Sequence, residues 1–271
     1  MTSVWIKRES RRFLKFAAAA LFAGSIAALA TTGVSAQTPA AAGAPKTETV
    51  EFKSGDLTVG GFLASPGTPG KHPAMIVIHE WWGLNDWVKE QAEKLAAEGY
   101  VALAVDLYRG KTASDPEEAH ELMRGLPQDR AIKDLKAAFD YLQGRPDVKR
   151  ESIGAIGWCM GGGLAVQFAV HEPRLRACVV NYGALPTDPG DLQNIGAPIL
   201  GNFGADDKGI TPADVKAFEQ AMTKLKKFVN LKIYDNAGHG FENQNNTDAY
   251  RQEPAIDAWN RTVLFLKTIV K

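Results

Sequence analysis

The chain is 271 residues long, with 31 Lys+Arg against 31 Asp+Glu, 45% hydrophobic residues and two cysteines. That length buries a sizeable core, and the composition excludes wholesale disorder and a disulfide scaffold. A net charge of zero excludes a dominant field for nucleic acid or for a membrane surface, although the charge is unevenly spread.

The first segment holds Lys7, Arg8, Arg11, Arg12 and Lys15 against Glu9, a net of +4, which leaves −4 on the remainder. Behind this basic head an Ala-rich apolar run goes from Phe16 to Ala30, and Val34-Ser35-Ala36 closes it with small residues. This is the layout of an export signal over residues 1–36, and its apolar run is shorter than the ~20 residues of a spanning helix. An uncleaved N-terminal anchor is the competing reading. Arg11-Arg12 with Phe13-Leu14-Lys15 resembles a twin-arginine signal that lacks the spacer before its Phe. A periplasmic or secreted protein is expected, by that route or by the general secretory one, with the membrane a partner only through the export machinery. Residues 37–45 read as an Ala/Pro tether, and one folded domain is expected over 46–271.

Within that domain short β-type runs alternate with helical periods, which predicts an α/β fold with a mostly parallel sheet flanked by helices. Thr49 to Phe52 and Leu57 to Ala64 predict an antiparallel opening hairpin, and Ala74 to Ile78 a strand buried on both faces. Asp86 is read as the cap of a helix with Val88, Ala92 and Leu95 on one face, ended by Gly99. A strand follows over Tyr100 to Val105. Asp129 opens the next helix, with Ile132, Leu135, Phe139 and Leu142 in step. Further strands are expected at Ser152 to Ile156, Ala177 to Asn181, Pro198 to Phe203 and Val229 to Tyr234. Thr211 caps a helix with Pro212 at its first position, and the last helix carries Trp259, Val263, Leu266 and Val270.

The chemistry concentrates where strands end. Ser152 to Ile156 runs into Gly157-Trp158-Cys159-Met160-Gly161-Gly162-Gly163 and then into a helical run. A strand, a glycine-flanked turn and a helix make a nucleophile elbow, here with cysteine at its tip. The helix N-terminus beneath Cys159 favours negative charge there and offers backbone N–H groups to a developing oxyanion. A tightly packed small hydrophobe is the bland alternative. Gly204-Ala205-Asp206-Asp207 follows a later strand, and Gly238-His239-Gly240-Phe241 follows the next. Nucleophile, acid and base in that order form an α/β-hydrolase triad of Cys159, Asp207 and His239. Asp207 is preferred to Asp206 because the recurrent spacing is Gly-x-x-Asp; Asp206 is then a solvated turn residue.

These residues, together with His79-Glu80-Trp81-Trp82-Gly83-Leu84 and Val105-Asp106-Leu107-Tyr108, resemble the dienelactone hydrolase (carboxymethylenebutenolidase-type) family from about Glu51 to the C-terminus. The resemblance implies the α/β-hydrolase fold and hydrolysis of a small ester or lactone. It implies that Glu80 pairs with the resting thiol and that the N–H groups of Trp81 and Met160 form the oxyanion hole. Trp82, Tyr108 and Tyr182 would line the pocket. The founding enzymes hold a substrate carboxylate with two arginines; here Arg109 is displaced by one residue from the first place and Asn243 occupies the second. An ester or lactone without a carboxylate therefore fits at least as well.

No cofactor or metal is called for, because His79 and Glu80 have no second histidine at zinc-helix spacing and no phosphate-binding glycine loop is present. A thioesterase or other acyl hydrolase would use the same triad, and a non-catalytic binding protein could use the same scaffold. Thiol-redox chemistry is disfavoured because Cys178 lies in an apolar run with no Cys-x-x-Cys pair.

Overall fold

The computed structural model describes residues 43–271; the expected signal and most of the tether fall outside the described residues. Strands β1 (Lys46–Ser54) and β2 (Leu57–Ser65) form the opening hairpin, turning at Gly55 with φ +63°. The remaining strands are β3 (His72–Ile78), β4 (Val101–Val105), β5 (Val148–Trp158), β6 (Cys178–Asn181), β7 (Ile199–Gly204) and β8 (Val229–Tyr234). They assemble into one eight-stranded sheet in the order β1-β2-β4-β3-β5-β6-β7-β8. β2 pairs antiparallel with both of its neighbours, and every pairing from β4 to β8 is parallel.

The helices are α1 (Asp86–Ala97), α2 (Pro116–Arg124), α3 (Gln128–Gly144), α4 (Met160–His171), α5 (Pro189–Asn194), α6 (Pro212–Lys224) and α7 (Gln252–Ile269). Alternate residues of each central strand feed two apolar layers, as the period of two requires. Ile76, Ile78, Leu103 and Val180 face α3, α4, α5 and α6, while Met75, Val77, Ala104 and Trp158 face α1 and α7. β3 and β4 are apolar along nearly their whole length because both of their faces are covered.

Several element boundaries differ from the sequence reading for local reasons. Asn85, not Asp86, caps α1: its backbone is extended and its side chain accepts from the Val88 N–H at 3.2 Å, leaving Asp86 to meet the helix dipole from the first turn. α3 begins at Gln128 after Pro127, so Asp129 is already inside it. α7 turns Ala258, Thr262, Phe265 and Leu266 inward, while Trp259 and Val263 are half-buried. The helices α2 and α5 have no counterpart in the periodicity. Thr211 does cap α6, in a capping box with Asp214. Thr211→Ala is expected to cost about 1 kcal/mol and to lower Tm by ~2–4 °C in a thermal melt.

Candidate active site

Within the sheet β3 has β4 on one side and β5 on the other, so the loops leaving their carboxyl ends diverge and open a crevice. Glu80 leaves β3, Tyr108 and Arg109 follow β4, Cys159 follows β5, Tyr182 follows β6, Asp207 follows β7 and His239 follows β8. One edge of the sheet thus carries every chemistry-bearing residue.

Cys159 sits between β5 and α4 with φ 54° and ψ −121°, a conformation that costs a non-glycine residue about 1–3 kcal/mol. Its N–H donates to the Asn181 carbonyl at 3.0 Å, which pins the elbow to β6. The turn is possible only with glycine beside it: a methyl on Gly157 would overlap the Gly161 carbonyl, and one on Gly161 would overlap the carbonyls of Ile78 and His79.

The sulfur faces the imidazole. His239 Nε2 lies 3.0 Å from Cys159 Sγ, and His239 Nδ1 lies 2.8 Å from Asp207 Oδ2. The other Asp207 oxygen accepts from the N–H groups of Gly209 at 2.8 Å and Ile210 at 3.0 Å, fixing the carboxylate plane. Asp206 is exposed, whereas Asp207 is buried. Burial alone would raise the Asp207 carboxyl, but the His239 ring and the two N–H groups outweigh it and hold it below the ordinary range. Burial likewise opposes the imidazolium, yet the hydrogen bonds to Asp207 and Cys159 carry His239 up to about 10.

The sign of this shift fixes a pH dependence. A folded value raised above 6.5 means that the stability contributed by protonated His239 is complete below that pH and is lost as pH rises through about 10. The stability gap between wild type and His239→Gln, followed by denaturant titration, is expected to close across that window. By NMR, the ring is expected to titrate near 10 in the wild type and lower in Asp207→Asn.

The other expected site residues divide. Met160 is the first residue of α4, so its N–H has no partner within the helix, and Trp81 directly follows Glu80. Tyr108 donates to Met160 Sδ at 3.3 Å, and the Tyr182 ring stands edge-on to His239 with centroids 5.2 Å apart. Trp82 instead packs edge-on against Trp81, which also meets His120 of α2. Three expectations need correction. Glu80 does not pair with the thiol: its buried carboxylate accepts from Asn243 Nδ2 at 2.7 Å and Tyr182 Oη at 3.3 Å, while the sulfur has His239. Arg109 is not available to a substrate, because its guanidinium grips Asp134 of α3 through bonds of 2.9 and 2.8 Å. Asn243 is buried and spends its amide on Glu80. Burial raises the Glu80 carboxyl above its ordinary range, with Asn243, Tyr182 and the His239 charge opposing only in part.

Sequence reasoning missed Asp134 and Glu242. Asp134 was detectable in principle, as an acid inside the buried stripe of α3 between Ile132 and Leu135. Glu242 follows buried Phe241 and accepts from Trp158 Nε1 at 3.0 Å; no local pattern marks it.

A nucleophile elbow, an acid and a histidine at the ends of β5, β7 and β8 of such a sheet define an α/β-hydrolase. A model of the dienelactone hydrolase family matches residues 59–270. The chain belongs to the dienelactone hydrolase family and is, on that membership, a hydrolase of carboxylic ester or lactone bonds. It is 36% identical over 225 residues to protein usf of Aquifex pyrophilus, covering 80% of this chain and 96% of that one. Its fold is similar to a dienelactone hydrolase-like promiscuous phosphotriesterase, P91, from metagenomic libraries, with TM-score 0.79, 26% identity and coverage of 84% of this chain and 100% of that one. The dienelactone hydrolase of Anabaena variabilis shares the fold at TM-score 0.64 and 22% identity, over 84% of this chain and 100% of that one.

Proposed function

We propose that the protein hydrolyses small esters or lactones through a Cys159–His239–Asp207 triad and an acyl-thioester intermediate. The observation that carries this reading is the continuous chain from sulfur to imidazole to carboxylate at 3.0 and 2.8 Å, set on a strained elbow. Cys159 Sγ attacks the carbonyl carbon and the thiol proton resides on His239 Nε2. Negative charge moves onto the carbonyl oxygen, which the N–H groups of Met160 and Trp81 receive. Collapse breaks the C–O bond, and His239 returns its proton to the leaving oxygen. Water then attacks the thioester with His239 as base, releasing the acid and restoring the thiol. Asp207 holds the Nδ1–H tautomer that leaves Nε2 facing the sulfur.

The substrate's acyl group is uncharged. Arg109 is neutralised by Asp134, Asn243 is neutral, and the acid nearest the triad, Glu80, has only neutral hydrogen-bond donors. A substrate carboxylate would enter with neither Arg109 nor an arginine at position 243 free to meet it. The protein is made as an exported precursor and acts after residues 1–36 are removed; the mass of the protein recovered from the periplasm tests this.

Electrospray mass spectrometry after mixing with a slowly hydrolysed ester tests the mechanism. An acyl adduct on the Cys159 peptide supports it, and turnover without a covalent adduct under burst conditions refutes it. Matched lactones with and without a carboxylate test the substrate class: kcat/KM is expected to favour the neutral member by about tenfold or more, since one unpaired carboxylate costs a charge-assisted hydrogen bond. Preference for the carboxylated member overturns the assignment.

A further inference from the structure

Away from the triad, a cavity of about 400 Å³ opens between α1 and α7, beneath the loop that follows His239. One wall is apolar, with Ile256 and Trp259 from α7. The opposite side carries Gln91 and Lys94 from α1, and the loop contributes Glu242. That volume lies within the range of small-molecule sites, and an apolar wall with a few convergent polar groups is their usual makeup.

Glu242 is the unusual member. Its carboxylate accepts from the Trp158 indole at 3.0 Å and from the Asn181 side-chain amide at 3.2 Å, both neutral donors, and burial, reinforced by Glu80, raises it to about 8 against the opposing effects of Trp158, Arg261 of α7 and Lys94. Tyr182 is the other titratable group near enough to interact with it. The hydrolytic mechanism uses neither Glu242 nor Lys94. A half-buried acid with no salt-bridge partner among the described residues and an exposed ammonium line the same apolar-backed cavity. The complementary ligand carries the opposite pair of charges on a compact apolar body.

We propose that this cavity binds an apolar α-amino acid, its ammonium on the Glu242 carboxylate and its carboxylate on Lys94. The location gives such a ligand a route to the triad. Glu242 lies three residues after His239, and Trp158, which it holds, immediately precedes Cys159. Binding requires ionised Glu242 and therefore releases a proton below pH 8.

Isothermal titration calorimetry with L-leucine and L-phenylalanine tests the site, using Cys159→Ala alongside wild type so that the result does not depend on hydrolysis. Saturable binding is expected, about eightfold tighter at pH 8.5 than at pH 7.0 as the ionised fraction of Glu242 grows. N-acetyl-L-leucine, which lacks the ammonium, is expected not to bind. Glu242→Gln should weaken L-leucine about tenfold or more and abolish the pH dependence. Lys94→Met, on an exposed helix position, should weaken L-leucine but not L-leucinamide. Absence of saturable binding, equal binding of N-acetyl-L-leucine, or unchanged affinity in either variant overturns the proposal. Loss of binding in Cys159→Ala also overturns it, by placing the ligand in the active site.

Discussion

Cys159→Ala and His239→Ala each lower kcat on a p-nitrophenyl ester by about 10⁴-fold or more, and the double variant is little worse than either single one. The non-additivity follows from the geometry. The imidazole has a function only while it shares a proton with the sulfur 3.0 Å away, and the sulfur is a competent nucleophile only while that proton has somewhere to go. Asp207→Asn is expected to be severe as well, about 10²–10⁴-fold, because an amide can present its N–H to Nδ1 and favour the wrong tautomer. Cys159→Ala keeps the backbone of the elbow and should melt close to wild type, whereas His239→Ala and Asp207→Asn also give up the stability of the His239–Asp207 pair. Full activity in Cys159→Ala would remove the thiol from the mechanism.

Arg109→Ala has its large effect on stability instead. Its guanidinium holds both oxygens of Asp134, whose side chain is 1% exposed in the middle of α3. Removing one partner strands a buried carboxylate, which costs about 3–5 kcal/mol and lowers Tm by roughly 6–15 °C in a domain of this size. Discrimination between carboxylated and neutral esters should not change among the molecules that remain folded. A lost preference with an unchanged melt would mean that Arg109 serves substrate after all. Asp134→Asn on the Arg109→Ala background should recover part of the stability, because the stranded charge is then gone.

The parts of the molecule that could be read from sequence are those where one physical requirement dominates. β3 and β4 announce themselves because burial on both faces leaves no place for polar residues. Cys159, Asp207 and His239 stand out because each follows a strand with glycine at fixed spacing, and glycine there is forced by backbone overlap. α2 was invisible because it buries only Ala119 and so has almost no apolar stripe; Asp115 as its cap and Pro116 at its first position were the available signals. The partners of Glu80 and Arg109 were illegible for another reason. Asn243 is 163 residues from Glu80, and Asp134 is 25 from Arg109, so these pairings exist only once the sheet has assembled. A family pattern told where arginine or its replacement stands, but not that an intramolecular acid had already claimed it.

The placement of the second thiol has a consequence for the chain's history. Cys178 is fully buried in β6, opposite Ala155 of β5, and burial pushes its thiol up to about 12. Cys159 lies four residues further along, roughly 13 Å away at the rise of a strand, twice the reach of a disulfide. In the unfolded chain the same two cysteines are separated by a short, readily closed loop. Bridging of the two cysteines therefore competes with folding rather than with catalysis: a molecule whose sheet has formed cannot join them, whereas one that meets an oxidant earlier can lock into a bridge that forbids the register between β5 and β6.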